Sequence, residues 1–164
     1  MPNRSSVQVT ALDGVPQTIL GPVGHSEMFG QKGFLSVVTG DSIGDVYRML
    51  RIPANAVVYD LLRSQNAITA LAGDVGVYRT PDDGGAVVDA DFFASAVALA
   101  AATVGPTSVM NESTVNTPTL QMLPLWQALG LSAPPASGYF DICVTVTTAA
   151  TAAGTLILQA IYSL

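Results

Sequence analysis

The chain has 164 residues, 49% apolar and only 11% charged, so it can bury a core and is too apolar to be disordered. Its 6 basic and 12 acidic residues give a net charge of −6, the wrong sign for binding nucleic acid. A single cysteine cannot form an internal disulfide, and no apolar stretch is long enough to cross a bilayer. Because no apolar run follows Arg4, we also expect no secretory signal, and because the apolar stretches are too short, we expect no membrane partner.

Residues 1–33 are predicted to form an extended, irregular N-terminal arm. Glycine and proline recur through this range and interrupt any long element, at Gly14, Pro16, Gly21, Pro22, Gly24, Gly30 and Gly33. Within the arm, Val7–Thr10 alternates apolar and polar residues and could add a short strand to a sheet edge. The sequence leaves open whether the arm is a loose tail or docks on a neighbour.

Residues 34–88 contain short apolar segments separated by turn residues, the pattern of antiparallel strands. We predict strands at Phe34–Val38, Asp45–Ile52, Ala56–Ser64 and Val75–Thr80. A tight turn is predicted at Pro81-Asp82-Asp83-Gly84-Gly85, because proline presets one turn dihedral and glycine accepts a positive φ. After this turn, Val87 and Val88 resume the apolar pattern.

Strict alternation in the second predicted strand would put its two arginines on opposite faces. One face would carry Tyr47, Met49 and Arg51, and the other Arg48, Leu50 and Ile52.

Two later segments differ from this strand pattern. Pro124–Gly130 is predicted to contain a short helix, because proline favours a helix start and glycine a helix end. Residues 89–103 leave helix and strand equally open. Their alanine content and the possible caps Asp89 and Asp91 favour a helix, whereas the alternation through Phe93 favours a strand.

Two C-terminal segments give the clearest strand patterns. Phe140, Ile142, Val144 and Val146 alternate with more polar residues, and Thr155–Tyr162 follows the same rule, so we expect the two strands to pair antiparallel. Taken together, the strands and turns predict an all-β fold over residues 34–164. The expected architecture is an antiparallel β-sandwich or jelly roll with one or two short helices.

Charged residues are scarce in the C-terminal part of the chain. Residues 92–164 contain only Glu112 and Asp141. One interpretation is a neutral solvated surface of Thr, Ser, Ala and Gln. We favour the other, in which another copy or another protein covers much of this surface, because charge depletion marks the centres of interfaces.

The residue types needed for catalysis do not form a recognisable set. His25 is the sole histidine and is interpreted as an ordinary loop residue, and Cys143 as a structural thiol. No zinc-ligand pattern, nucleophile elbow or phosphate loop accompanies them. We therefore expect no catalytic, cofactor-binding or metal site and no enzyme activity.

Two weaker possibilities involve acidic and aromatic residues. The oxygen-rich run Asp82, Asp83, Asp89 and Asp91 could bind calcium, but turn and cap roles also account for it, and the sequence does not decide. Residues 41–91 contain four arginines, Arg48, Arg51, Arg63 and Arg79, which we expect to form ion pairs with the aspartates of the same range. Trp126 and Tyr139 could form a sugar-stacking platform, which gives a lectin-like alternative.

Several segments resemble small virion proteins of tailed bacteriophages, namely the head decoration or cement proteins encoded near the major capsid protein. The resemblance spans residues 34–164 and is carried by Asp45–Ala56, Gly76–Thr80, Gly84–Ala96 and Pro124–Leu131. It implies a β jelly roll that forms a homodimer or homotrimer and clamps major capsid protein subunits on the capsid exterior, after synthesis in the host bacterial cytoplasm. It transfers no site residues. A tail, head-fibre or host-binding component of the virion remains the other structural alternative.

Overall fold

The structure is a computed structural model that describes residues 27–112 and 117–164. Eight β-strands make up most of these residues. A short helix, α1 (Leu125–Ala128), confirms the helix predicted after Pro124, and 3-10 turns occur at Pro81–Asp83 and Leu120–Met122. The strands are β1 (Met28–Val37), β2 (Val46–Pro53), β3 (Val57–Gln65), β4 (Ala72–Arg79), β5 (Val87–Ala98), β6 (Thr107–Ser108), β7 (Tyr139–Thr148) and β8 (Gly154–Ser163).

The strands form two four-stranded antiparallel sheets. Sheet A has the order β1-β8-β3-β6, and sheet B has the order β2-β7-β4-β5. Only β4 and β5 follow one another in the chain and also share a sheet, so every other connection crosses between the sheets. This is the strand order of an eight-stranded jelly roll, and the all-β sandwich predicted from the sequence is confirmed.

The predicted pairing of the two C-terminal strands is wrong. β7 lies between β2 and β4 in sheet B, whereas β8 lies between β1 and β3 in sheet A. Both strands carry a row of almost fully buried apolar residues, including Ile142 and Val144 on β7 and Leu156 and Leu158 on β8. Because the two rows belong to the same core, the strands face one another across the sandwich instead of sharing a hydrogen-bonded edge.

Residues 89–98, which the sequence left open, belong to strand β5 and not to a helix. β5 pairs irregularly with β4, and the register shifts at three points. One of the irregular residues is Ala96, whose positive φ of 48° is accompanied by a hydrogen bond from its backbone N–H to the Asp74 carboxylate at 2.6 Å. At Gly76 the β5 backbone passes so close that a Cβ would overlap the backbone of Ala90.

The strict alternation predicted for the second strand is also wrong. A bulge between Arg48 and Leu50 inserts one extra residue into β2, so Met49 and Leu50 are both buried. After the bulge the pattern is displaced by one residue. As a result Arg48 and Arg51 both remain exposed and reach the same side chain of β7.

The first strand begins inside the range predicted as an arm. β1 pairs with β8 over its whole length, from Met28 opposite Ser163 to Val37 opposite Gly154. The predicted arm, residues 1–33, therefore overlaps the sheet at residues 28–33. Val7–Thr10 and His25 lie outside the described residues, so the structure does not test the interpretations given to them.

Candidate functional site

The outer face of sheet A points away from the core and carries exposed apolar side chains. Phe34 of β1 is 79% exposed, and the residues beside it across the sheet are Ile157 and Ser64. The next row contains Lys32, Gln159, Leu62 and Ser108. Asp60, also on this face, accepts a hydrogen bond from the Ser108 hydroxyl at 2.6 Å. This face is therefore mostly apolar and neutral, with charge contributed by Lys32 and Asp60.

The charge depletion of the C-terminal part is stronger in the structure than in the sequence. Of its two acidic residues, Asp141 is only 3% exposed and is held in ion pairs. Glu112 is half-buried. The described surface between residues 92 and 164 is therefore almost uncharged, and contact with another protein would cost little charge desolvation.

A buried carboxylate and two arginines form the main electrostatic feature, which we call the arginine clamp (Arg48, Arg51 and Asp141). Arg51 binds both carboxylate oxygens of Asp141, through Nε at 2.7 Å and Nη2 at 3.1 Å. Arg48 binds the same carboxylate through Nη1 at 2.9 Å. These hydrogen bonds and the charge of Asp141 raise the pKa of Arg51. The two cations compensate for placing a carboxylate almost out of contact with water.

Arg48 also holds the turn between β4 and β5. Its guanidinium donates to the carbonyl oxygens of Arg79 and Gly85, both at 3.0 Å. The guanidinium carbon also lies 5.8 Å from the centre of the Tyr78 ring. One side chain therefore links β2, β7 and the β4–β5 turn on the outer side of sheet B.

The arginine clamp corrects the ion pairs expected from the sequence. Arg48 and Arg51 were predicted to pair with aspartates of residues 41–91, but they bind Asp141. The sequence contained one usable signal, because Asp141 interrupts an apolar strand and a buried carboxylate needs a cationic partner. Nothing in the sequence places both arginines beside that strand, since the bulge in β2 brings them there.

The four aspartates considered for calcium have separate roles. Asp83 accepts hydrogen bonds from the Ser137 hydroxyl and from its backbone N–H, and the hydroxyl contact is the main reason that the pKa of Asp83 is lowered. Asp82 is exposed in the same turn, whereas Asp89 and Asp91 lie on β5. Burial, followed by interactions with Asp91, raises the pKa of Asp89. In residues 27–112 and 117–164, no group of three or more possible ligands is placed to hold a metal ion.

Cys143 is completely buried in β7, opposite Arg48 and Gly76 in the neighbouring strands. Burial raises the pKa of its thiol to about 12, although the charge of Arg48 opposes this effect. The group is therefore a protonated thiol at neutral pH, and thiols are weak nucleophiles.

The two aromatic residues considered for sugar binding have different surroundings. Trp126 lies on α1 and packs against the core, and its backbone N–H donates to the Ala54 carbonyl at 3.1 Å. Tyr139 begins β7, opposite Pro53, and is 46% exposed. The Trp126 side chain is therefore partly buried against the core, whereas nearly half of Tyr139 is exposed to solvent and could contact a sugar.

A cleft lies where β1 passes β2, between an edge of each sheet. At Gly33 the two strands are so close that a Cβ would overlap the carbonyl oxygen of Met49. The cleft is lined by Gln31, Lys32, Arg48, Met49, Leu50, Arg51 and Asp141. It therefore combines the edge of β1 with the exposed side of the arginine clamp.

None of the helices in the described part of the chain is both long and apolar enough to span a bilayer.

The fold occurs in chains of two bacteriophage capsid structures. A chain of the cyanophage Pam1 capsid asymmetric unit is 17% identical with a TM-score of 0.50, and the match covers 100% of this chain and 99% of that chain. A chain of the capsid of Ralstonia phage GP4 is 14% identical with a TM-score of 0.56, and 84% of each chain is covered. No family model and no curated protein matches the sequence. At these identities, the similarity establishes a shared fold.

Proposed function

We propose that this chain is a structural component of a bacteriophage virion that decorates and cements the shell by binding between major capsid protein subunits. The observation that carries the proposal is the match to a chain of the Pam1 capsid, which covers 100% of this chain and 99% of that one. Because both chains are matched almost end to end, the similarity concerns a whole small chain of a capsid and not one domain of a larger subunit. A separate small chain of this kind suits an accessory role on a shell.

The surface of the protein supports the same proposal. The outer face of sheet A offers Phe34 and Ile157, and burial of apolar area contributes about 25 cal/mol per Å². Few charges would lose water on this side, because β6 and β8 contribute no charged residue to this face and β1 and β3 contribute Lys32 and Asp60. A shell repeats each contact by symmetry, so many modest contacts together hold the shell firmly.

The proposed mechanism is thermodynamic linkage. A protein that binds the assembled shell and not its free subunits stabilises the shell by mass action. This activity needs no catalysis, cofactor or metal, and the proposal assigns none. It assigns the protein to the capsid exterior, as a homodimer or homotrimer, after synthesis in the host cytoplasm.

The test is to measure the mass of the purified protein by light scattering and its co-sedimentation with phage heads that lack it. We expect a stable oligomer that binds heads saturably. A monomer that does not bind heads would overturn the proposal. Binding to isolated tails but not to heads would favour a tail component instead.

A matched pair of variants tests the contribution of sheet A. Phe34 and Met122 are equally exposed, at 79% and 78%, but Met122 lies in the 3-10 turn before α1. We expect Phe34→Ser to weaken head binding by about tenfold, the equivalent of losing one large apolar contact. Met122→Ser should bind as the wild type does. Equal effects of the two substitutions would exclude sheet A as the binding face.

A further inference from the structure

The exposed edges of the two sheets differ in how well they can accept another strand. β6 is two residues long, and β2 and β5 contain register shifts that interrupt their edges. β1, in contrast, has ten residues in unbroken register with β8. Short strands and bulges are common protections against unwanted strand pairing. Among the described strands, β1 is therefore the edge suited to strand addition.

The cleft beside this edge is positive, although the whole chain is negative. Lys32, Arg48 and Arg51, three of the chain's 6 basic residues, line it together with one carboxylate, Asp141. That carboxylate is 3% exposed and already bound by both arginines. Lys32 is exposed, and the side chain of Arg51 is 46% exposed. Arg51 binds Asp141 through Nε and Nη2, and Nη1 is not part of these hydrogen bonds. The cleft therefore presents an excess of positive charge in a chain of net charge −6.

We infer that the cleft between β1 and β2 receives an extended acidic segment of a partner protein. This segment would add to the edge of β1 that no described strand covers, while its carboxylates face Lys32 and Arg51. Strand addition supplies affinity through backbone hydrogen bonds, and the side chains that alternate along the added strand supply selectivity. A nucleic acid would need more cations than this cleft holds, and the acidic surface elsewhere would repel it. The inference rests on the proposed function, because the partner would be a shell protein.

The test uses the full-length protein and two fluorescent peptides of matched length, one alternating Val and Glu and the other alternating Val and Gln. Binding is measured by anisotropy at low and high salt, and amide NMR shifts report where the peptide lies. We expect the Glu peptide to bind more tightly, to lose affinity in salt, and to shift amides of residues 30–34 in β1.

Substitutions at Lys32 separate charge from shape. Lys32→Gln should weaken binding of the Glu peptide about two- to fivefold, the range that exposed ion pairs give, and Lys32→Arg should retain it. Arg79→Gln removes a charge that does not line the cleft and serves as the matched control. Equal binding of the two peptides would overturn the inference, as would tighter binding of an oligothymidine. Self-association of Lys32→Gln without weaker peptide binding would also overturn it, because Lys32 would then only guard the edge.

Head binding by the wild-type protein distinguishes failure of this inference from failure of the proposed function. Wild-type protein that binds heads but does not distinguish the peptides refutes the acidic-segment inference alone. Protein that binds the Glu peptide but not heads refutes the proposed function.

Discussion

Replacing Asp141 by Asn should destabilise the fold far more than removing a charge from an exposed aspartate. The substitution keeps the shape of the side chain but removes the negative charge that Arg48 and Arg51 share. It also converts one acceptor oxygen into a donor that faces two cations. Because Asp141 is 3% exposed, water cannot replace the lost interactions at the carboxyl position.

The expected size follows from the burial of the three groups. Breaking a fully buried ion pair costs about 3–5 kcal/mol. The arginine side chains are 35% and 46% exposed, so both regain part of their hydration when the pairing is lost. We therefore expect a loss of about 2–3 kcal/mol. For a chain of this size, that loss lowers Tm by about 5–10 °C.

Urea denaturation and thermal melting followed by circular dichroism measure this effect. The matched control is Asp82→Asn, which removes the same charge from an exposed turn residue and should change stability by less than about 0.5 kcal/mol. Arg48→Gln should cost more than Arg51→Gln, because Arg48 also holds the carbonyl oxygens of Arg79 and Gly85. If Asp141→Asn is as stable as the control, the clamp contributes nothing and the reasoning is refuted.

Three further predictions concern a glycine, a carboxylate and the N-terminal segment. Gly76→Ala should destabilise by about 2–3 kcal/mol, because the new Cβ would overlap the backbone of Ala90, and urea denaturation measures the loss. Asp83 has a lowered pKa because of Ser137, so its stabilising effect is present above its unfolded pKa of about 4 and is lost as pH falls through the lower folded value. The Tm difference between wild type and Asp83→Asn should therefore shrink as pH falls below about 4. Removing residues 1–26 should weaken head binding and leave the melting temperature of the described fold unchanged, as co-sedimentation and melting would show.

Each of these predictions has its own control. Gly105→Ala adds the same atom where no other atom lies within 4 Å and should be tolerated. Asp89→Asn should act in the opposite sense to the Asp83 substitution and stabilise at neutral pH, because the pKa of Asp89 is raised in the fold. Removing residues 1–33 would delete six of the ten β1 residues and should lower Tm sharply. Unchanged head binding after removal of residues 1–26 would exclude a role for that segment.

Local patterns were sufficient to predict most of the strands and the helix. Alternation identifies β7 and β8, and the proline and glycine around α1 mark its ends, because each signal depends only on neighbours in the chain. Membership of a sheet depends on which rows of side chains meet across the core. The alternating patterns of β7 and β8 are equally compatible with a hairpin and with two facing sheets, so the sequence could not decide between them.

The electrostatic features depended on long-range geometry and were missed for that reason. Residues 48 and 141 are far apart in the chain, and the bulge in β2 that brings Arg48 and Arg51 to one side leaves no clear mark in the sequence. The cleft likewise exists only because β1 passes β2 at Gly33. Composition nevertheless predicted a weakly charged C-terminal surface, because the number of charges in a segment does not depend on how it folds.

The outer faces of the two sheets differ in how far their side chains are covered. On the outer side of sheet B, the β5 backbone lies against Gly76 of β4. Arg48 lies opposite Cys143, and both Cys143 and Asp141 are buried. On the outer side of sheet A, Phe34 remains exposed among the described residues. A free protein gains nothing from an uncovered apolar face, whereas a protein held in an assembly gains binding energy from it. Sheet A and the adjacent edge of β1 are therefore the side to examine first for contact with a shell.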